Sequence, residues 1–79
     1  MKIQILGTGC PKCKMLEKNA REALRVSAIQ AEVEKVTDLD EIMNMGVMMT
    51  PAIIVDGTIK STGKVLSKDQ IVQLLEEEK

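Results

Sequence analysis

Residues 52–55 read Ala-Ile-Ile-Val, an unbroken apolar run of strand length that ends at Asp56-Gly57. A run without polar alternation predicts a strand covered on both faces. Asp-Gly is a strong signal for a two-residue hairpin, whose turn needs positive φ at both positions. The chain has 79 residues, near the lower end of what folds unaided, so a single domain spanning 1–79 is expected. Its core has to be aliphatic, because there is no Phe, Trp or Tyr. Six methionines are present and four of them fall between Met43 and Met49. The first expectation for these is core filling by a flexible side chain; the second is an exposed, adaptable docking surface. Their position before Thr50-Pro51 favours an apolar rim there, built from Met45, Val47, Met48 and Met49.

The other elements follow from period and punctuation. Ile3 to Leu6 reads as a first strand ending at Gly7. From Pro11, apolar or small residues recur at Cys13, Leu16, Ala20, Ala23 and Leu24, the spacing of a buried helix face. Lys14, Glu17, Lys18, Arg21, Glu22 and Arg25 take the remaining positions. Pro11 suits the first helical turn, where its missing N–H costs nothing. Ala31, Val33 and the run to Val36 alternate with Glu32 and Glu34 as a half-buried strand. Asp38 and Glu41 have capping-box spacing, which opens a helix with Leu39, Ile42 and Met43 inward and Gly46 as its stop. After the Asp56-Gly57 turn, Thr58 to Ser61 returns as a short polar edge strand carrying Lys60. Ser67 and Gln70 make another capping box, with Leu66 and Ile71 at hydrophobic-staple spacing. Ile71, Leu74 and Leu75 then face inward. The order is β-α-β-α-β-β-α, an α/β fold. A right-handed parallel first crossover and an antiparallel closing hairpin give a four-stranded mixed sheet with helices on both faces.

Several functions are excluded early. A net charge of −1 and the lack of aromatic residues argue against nucleic-acid binding. No apolar stretch approaches the roughly 18 residues of a membrane span. The opening MKIQILG is too short and too broken for a secretory leader. A cytoplasmic location is expected, and there a close cysteine pair points to catalysis or metal rather than to a structural disulfide.

Cys10 and Cys13 are the only cysteines, in the stretch GTGCPKCK. As a staple, a Cys10–Cys13 disulfide is weak: it closes a loop worth roughly 2 kcal/mol and joins nothing distant. As a zinc site it lacks ligands, since the chain has no His. Two thiolates could carry a soft metal or metalloid. Redox chemistry suits the placement best. Cys10 falls at the helix N-cap, where free backbone N–H groups stabilise a thiolate. Lys12 and Lys14 add positive charge nearby. Cys13 lies about one turn on, facing inward. One sulfur can attack a substrate disulfide and the other can resolve the mixed disulfide.

With Thr50-Pro51 added, a family resemblance emerges. LGTGCPKC, MMTPAIIVDG and STGKVLSKDQIVQLL together resemble the small thioredoxin- and glutaredoxin-like redox-active disulfide proteins of archaea and bacteria. The resemblance covers nearly the whole chain and implies a thioredoxin fold. It implies a cis Thr50-Pro51 bond beside the cysteines, with Thr50 offering its backbone to a substrate chain. It implies a thiol–disulfide oxidoreductase acting on protein disulfides, with the Cys10–Cys13 disulfide itself in place of a cofactor and no metal. A non-catalytic adaptor of the same fold is the remaining alternative. Glutaredoxins that bind glutathione tend to carry Gly-Gly where this chain has Ser61-Thr62-Gly63. That favours a thioredoxin-reductase-like flavoenzyme as electron donor. A monomer is expected. Thioredoxins tend to have a buried acid near strand one; here the only polar residue inside that strand is Gln4, so no proton acceptor for Cys13 is assigned.

Overall fold

Ala52–Val55 is buried at every position. In the computed structural model, which describes residues 1–9 and 11–78, it forms an interior strand of a four-stranded sheet. The elements are β1 (Lys2–Leu6), α1 (Pro11–Ser27), β2 (Glu32–Val36), α2 (Leu39–Asn44), β3 (Ala52–Val55), β4 (Thr58–Thr62) and α3 (Lys68–Glu78). The sheet runs β2-β1-β3-β4, with β1 parallel to β2 and the other two pairings antiparallel. This is the mixed α/β architecture expected from the sequence.

The two faces of the sheet are covered differently. Ile3 and Ile5 of β1 and Ile53 and Val55 of β3 pack with Leu16, Ala20 and Ala23 of α1 and Ile71 and Leu75 of α3. The alternate positions, Leu6, Ala52 and Ile54, pack with Val36, Ile42 and Val47. Small side chains at Ala20 and Ala23 let α1 lie close to its neighbours. The Asn19 amide donates to Leu66 O at 2.9 Å and so ties the entry of α3 to α1.

Local chemistry sets the ends of the elements. Asp56 and Gly57 have φ of +50° and +82°, the pair of left-handed residues that a type I′ hairpin requires. Asp56 also accepts from Lys2 N and donates to Lys2 O, both at 2.8 Å, fixing the turn to the start of β1. Register along β3–β4 shifts between Ile53 and Ile54, which makes Lys60 the extra residue of a bulge on the edge strand. At α3 both halves of the capping box form: Ser67 N donates to Gln70 Oε1 at 2.9 Å, and Gln70 N to Ser67 Oγ at 3.2 Å. Asp38 caps α2 through Asp40 N and Glu41 N.

The inward face of α2 differs from expectation. Only Ile42 is buried, while Leu39 and Met43 are more than half exposed. The helix has six residues, enough for one inward position. Its end supplies the second apolar group. Gly46, at φ +85°, donates to Met43 O, and Val47 N donates to Ile42 O at 3.3 Å. These are the two bonds of a Schellman motif, which folds Val47 back onto Ile42. Leu24 and Leu74 pack against the first core cluster as half-buried residues. Among the described residues no helix is long and apolar enough to cross a membrane.

Replacing Ser67 by Ala removes one half of the α3 capping box. The expected cost is about 1 kcal/mol, read as a lower urea midpoint at unchanged slope.

Candidate active site at the end of strand β1

Gly7 follows β1 and is buried, its N–H donating to Val36 O of β2 at 2.9 Å. A Cβ on Gly7 would overlap Cys13 Sγ and stand 2.9 Å from Cys13 Cβ. The position therefore has to be glycine, because the thiol occupies the space a side chain would need. The chain then turns through Thr8 and Gly9, the latter at φ +90°, and enters α1 at Pro11. Cys13, the third helical residue, is 6% exposed and shares the buried face of α1 with Leu16, Ala20 and Ala23. Its inward placement agrees with the sequence reading. Cys10, expected at the N-cap, lies outside the described residues.

Thr50-Pro51 reaches the same place from the other side. The peptide bond is cis, as the resemblance implied. In the antiparallel register of β1 and β3, Leu6 faces Ala52. One step further along that register lie Gly7 and Pro51. Pro51 is buried and Thr50 exposed. Gly63 N donates to Pro51 O at 2.8 Å, holding this loop against the end of β4. The residues before it are mostly open to solvent. Met48 is 87% exposed and Met49 63%, with Met43 and Met45 also exposed. Core filling is thus not what these methionines do; Ile, Leu, Val and Ala side chains fill the core. Val47 is the exception within the expected rim, buried by the turn that ends α2.

A cavity of about 50 Å³ adjoins Cys13. Ile5, Gly7, Gly9, Cys13 and Thr37 line it together with the charged Lys14, Glu17 and Lys35. Lys12 is exposed and is not part of that lining. Glu17, grouped from the sequence with the charged outer face of α1, is instead only 18% exposed. Its carboxylate pairs with Arg21 at 3.0 Å and with Lys35 of β2 at 3.5 Å. Its four-residue spacing from Cys13 was the available signal, since such residues neighbour one another on a helix. Gln4 plays no part here. Its amide donates to Glu34 Oε1 at 3.0 Å, on the face of the sheet opposite Ile3 and Ile5. That bond first, and Lys2 second, hold the Glu34 carboxyl below its ordinary range.

A thiol at the start of the first helix, against a cis-proline loop and on a sheet of order β2-β1-β3-β4, defines a thioredoxin-fold oxidoreductase. Comparison with known proteins supports this class. Residues 1–76 match the family model described as thioredoxin domain. The chain is 51% identical over 75 residues to a thioredoxin of Methanothermobacter thermautotrophicus, covering 95% of this chain and 97% of the relative. It is 41% identical over 73 residues to a thioredoxin of Methanocaldococcus jannaschii, covering 92% and 84%. A solved structure described as that of a malarial protein matches with a TM-score of 0.68 at 17% identity, covering 96% and 93%, a likeness of fold. The chain belongs to the thioredoxin family. Its activity is thiol–disulfide exchange with protein disulfides.

Gly7→Ala should destabilise the protein by about 1–3 kcal/mol, because the helix start has to move to admit the methyl group. The cost should shrink in a Cys13→Ala background, where Sγ no longer competes for the space. A double-mutant cycle in urea measures the coupling.

Proposed function

We propose that Cys10 and Cys13 are the redox-active pair of this oxidoreductase, Cys10 attacking and Cys13 resolving. The observation that supports this most directly is the burial of Cys13 against Gly7. A bulky substrate disulfide cannot reach a thiol so enclosed. A sulfur presented from three residues upstream in the same chain can. In the reducing direction the Cys10 thiolate attacks a substrate disulfide and one substrate sulfur leaves as thiolate. Cys13 then attacks Cys10 Sγ of the mixed disulfide and the second substrate sulfur leaves. Two electrons pass to the substrate, and Cys10–Cys13 is left oxidised.

Lys12 and Lys14 favour the Cys10 thiolate by their charge. Thr50 offers its backbone to an extended substrate segment alongside Pro51. The exposed Met43, Met45, Met48 and Met49 give that segment an apolar surface that adapts to varied side chains. No cofactor beyond the cysteine pair is needed. The protein works as a cytoplasmic monomer, recharged by a thioredoxin-reductase-like flavoenzyme.

One equivalent of iodoacetamide near neutral pH should modify Cys10 of the reduced protein ahead of Cys13, as peptide mass spectrometry would show. Cys13→Ser should accumulate a mixed disulfide with a substrate, and Cys10→Ser should not. Preferential labelling of Cys13 would reverse the roles. The donor is tested by comparing turnover of the oxidised protein with glutathione plus its reductase against turnover with a thioredoxin reductase from the same organism. The flavoenzyme should be the faster. Efficient turnover with glutathione alone would make the protein a glutaredoxin in function.

A further inference from the structure

For Cys13 to resolve a mixed disulfide, its thiol has to lose a proton, because only the thiolate attacks. In a buried site that proton needs a local acceptor. Creating a new charge there without one is costly. Lys14 and Lys35, beside the same cavity, carry no acceptor when protonated. Gln4 lies on the other face of the sheet, bonded to Glu34. Among the described residues that line the cavity, Glu17 is the one carboxylate.

We propose that Glu17 takes the proton from Cys13 Sγ as Cys13 attacks the mixed disulfide, a role that rests on the cysteine assignments above. Glu17 lies one helical turn beyond Cys13 and borders the same cavity. Lys35 reaches its carboxylate from β2 at 3.5 Å, and Arg21 from α1 at 3.0 Å, two ion pairs that fix its orientation. The cavity, about 50 Å³, has room for a water to relay the proton.

The transfer conserves charge within the site. Cys13–SH and Glu17–COO⁻ become Cys13–S⁻ and Glu17–COOH, so the sum of charge around the cavity does not change. Negative charge moves from the carboxylate to the sulfur, while Lys35 and Lys14 remain beside the cavity to face it. The thiolate then forms the Cys13–Cys10 bond as the bond between Cys10 and the substrate sulfur breaks. The departing substrate thiolate takes a proton from Glu17 or from water, and the carboxylate is restored. The charged groups around this exchange are Lys14 and Arg21 from α1 and Lys35 from β2; β1 contributes the apolar Ile5.

A stopped-flow reaction of the reduced protein with a chromogenic aryl disulfide tests the role. The first aryl thiolate reports attack by Cys10 and the second reports resolution by Cys13. Glu17→Gln should leave the first phase unchanged and slow the second by about 100-fold near pH 7, the lower end of what a positioned base contributes. Between about pH 6 and pH 8 the second phase should be nearly flat in the wild type, because the proton passes to a base held within the site rather than to hydroxide. In Glu17→Gln it should rise in proportion to hydroxide. Glu17→Asp should restore the flat profile in part. Arg21→Gln breaks an ion pair of Glu17 but leaves the carboxylate at the cavity, and should keep the flat profile.

Equal slowing of both phases in Glu17→Gln would overturn the proposal, as would an unchanged pH profile. Those results would leave the cysteine roles standing. A wild type that releases only one aryl thiolate would overturn the cysteine pairing, and the role of Glu17 with it.

Discussion

The contact between Cys13 Sγ and the backbone of Gly7 is the constraint around which the site is arranged. It requires a residue without a side chain where β1 ends, and it draws the first turn of α1 down onto the sheet. Gly7 is also bonded to Val36 O of β2 and neighbours Pro51 in the register of β3. Three strands and a helix therefore meet at one glycine. A thiol held there is shielded from bulk reagents yet remains close to whatever its own chain presents. Shielding and proximity together suit a resolving sulfur, which should react quickly with one partner and slowly with all others.

Much of the fold is legible in the sequence because its signals are local. Asp56-Gly57 specifies its turn by backbone chemistry, Ser67 and Gln70 specify a helix start by mutual hydrogen bonds, and residues 52–55 declare their burial by lacking any polar alternation. The Cys13 face of α1 is likewise readable from its period. What was not legible depends on contacts between segments far apart in the chain. Gly7 reads as a strand terminator until Cys13 is known to lie on it. Glu17 reads as one more charge on an outer face, since only the position of β2 brings Lys35 to it. Leu39 and Met43 fit an inward helical pattern, but a helix this short has one inward position. Val47 fills the next by way of the turn at Gly46. Composition suggested methionines for an aromatic-free core, yet Ile, Leu, Val and Ala side chains on the two sheet faces and the helices fill it instead.

The electrostatics of the site are economical in a chain with almost no net charge. Glu17, Lys35, Arg21 and Lys14 keep both signs beside the cysteine cavity rather than a field of one sign. A balanced cluster can shift charge between its members without recruiting ions from solvent. Ion pairs of this kind contribute little to stability at a surface. Here they fix the orientation of the Glu17 carboxylate.

The unequal covering of the sheet has a consequence for motion. On one face two long helices bury nine residues in a continuous cluster, while on the other a six-residue helix and its turn complete a cluster of six. The free energy that resists opening is therefore distributed unevenly, and the thinner side is the one that leads into the methionine-bearing loop. Opening on the thinner side leaves the helix bearing Cys13 anchored by the thicker layer. The molecule is in effect a firm mount for Cys13 on one side of the sheet and a thinner layer, fringed with exposed methionines, on the other.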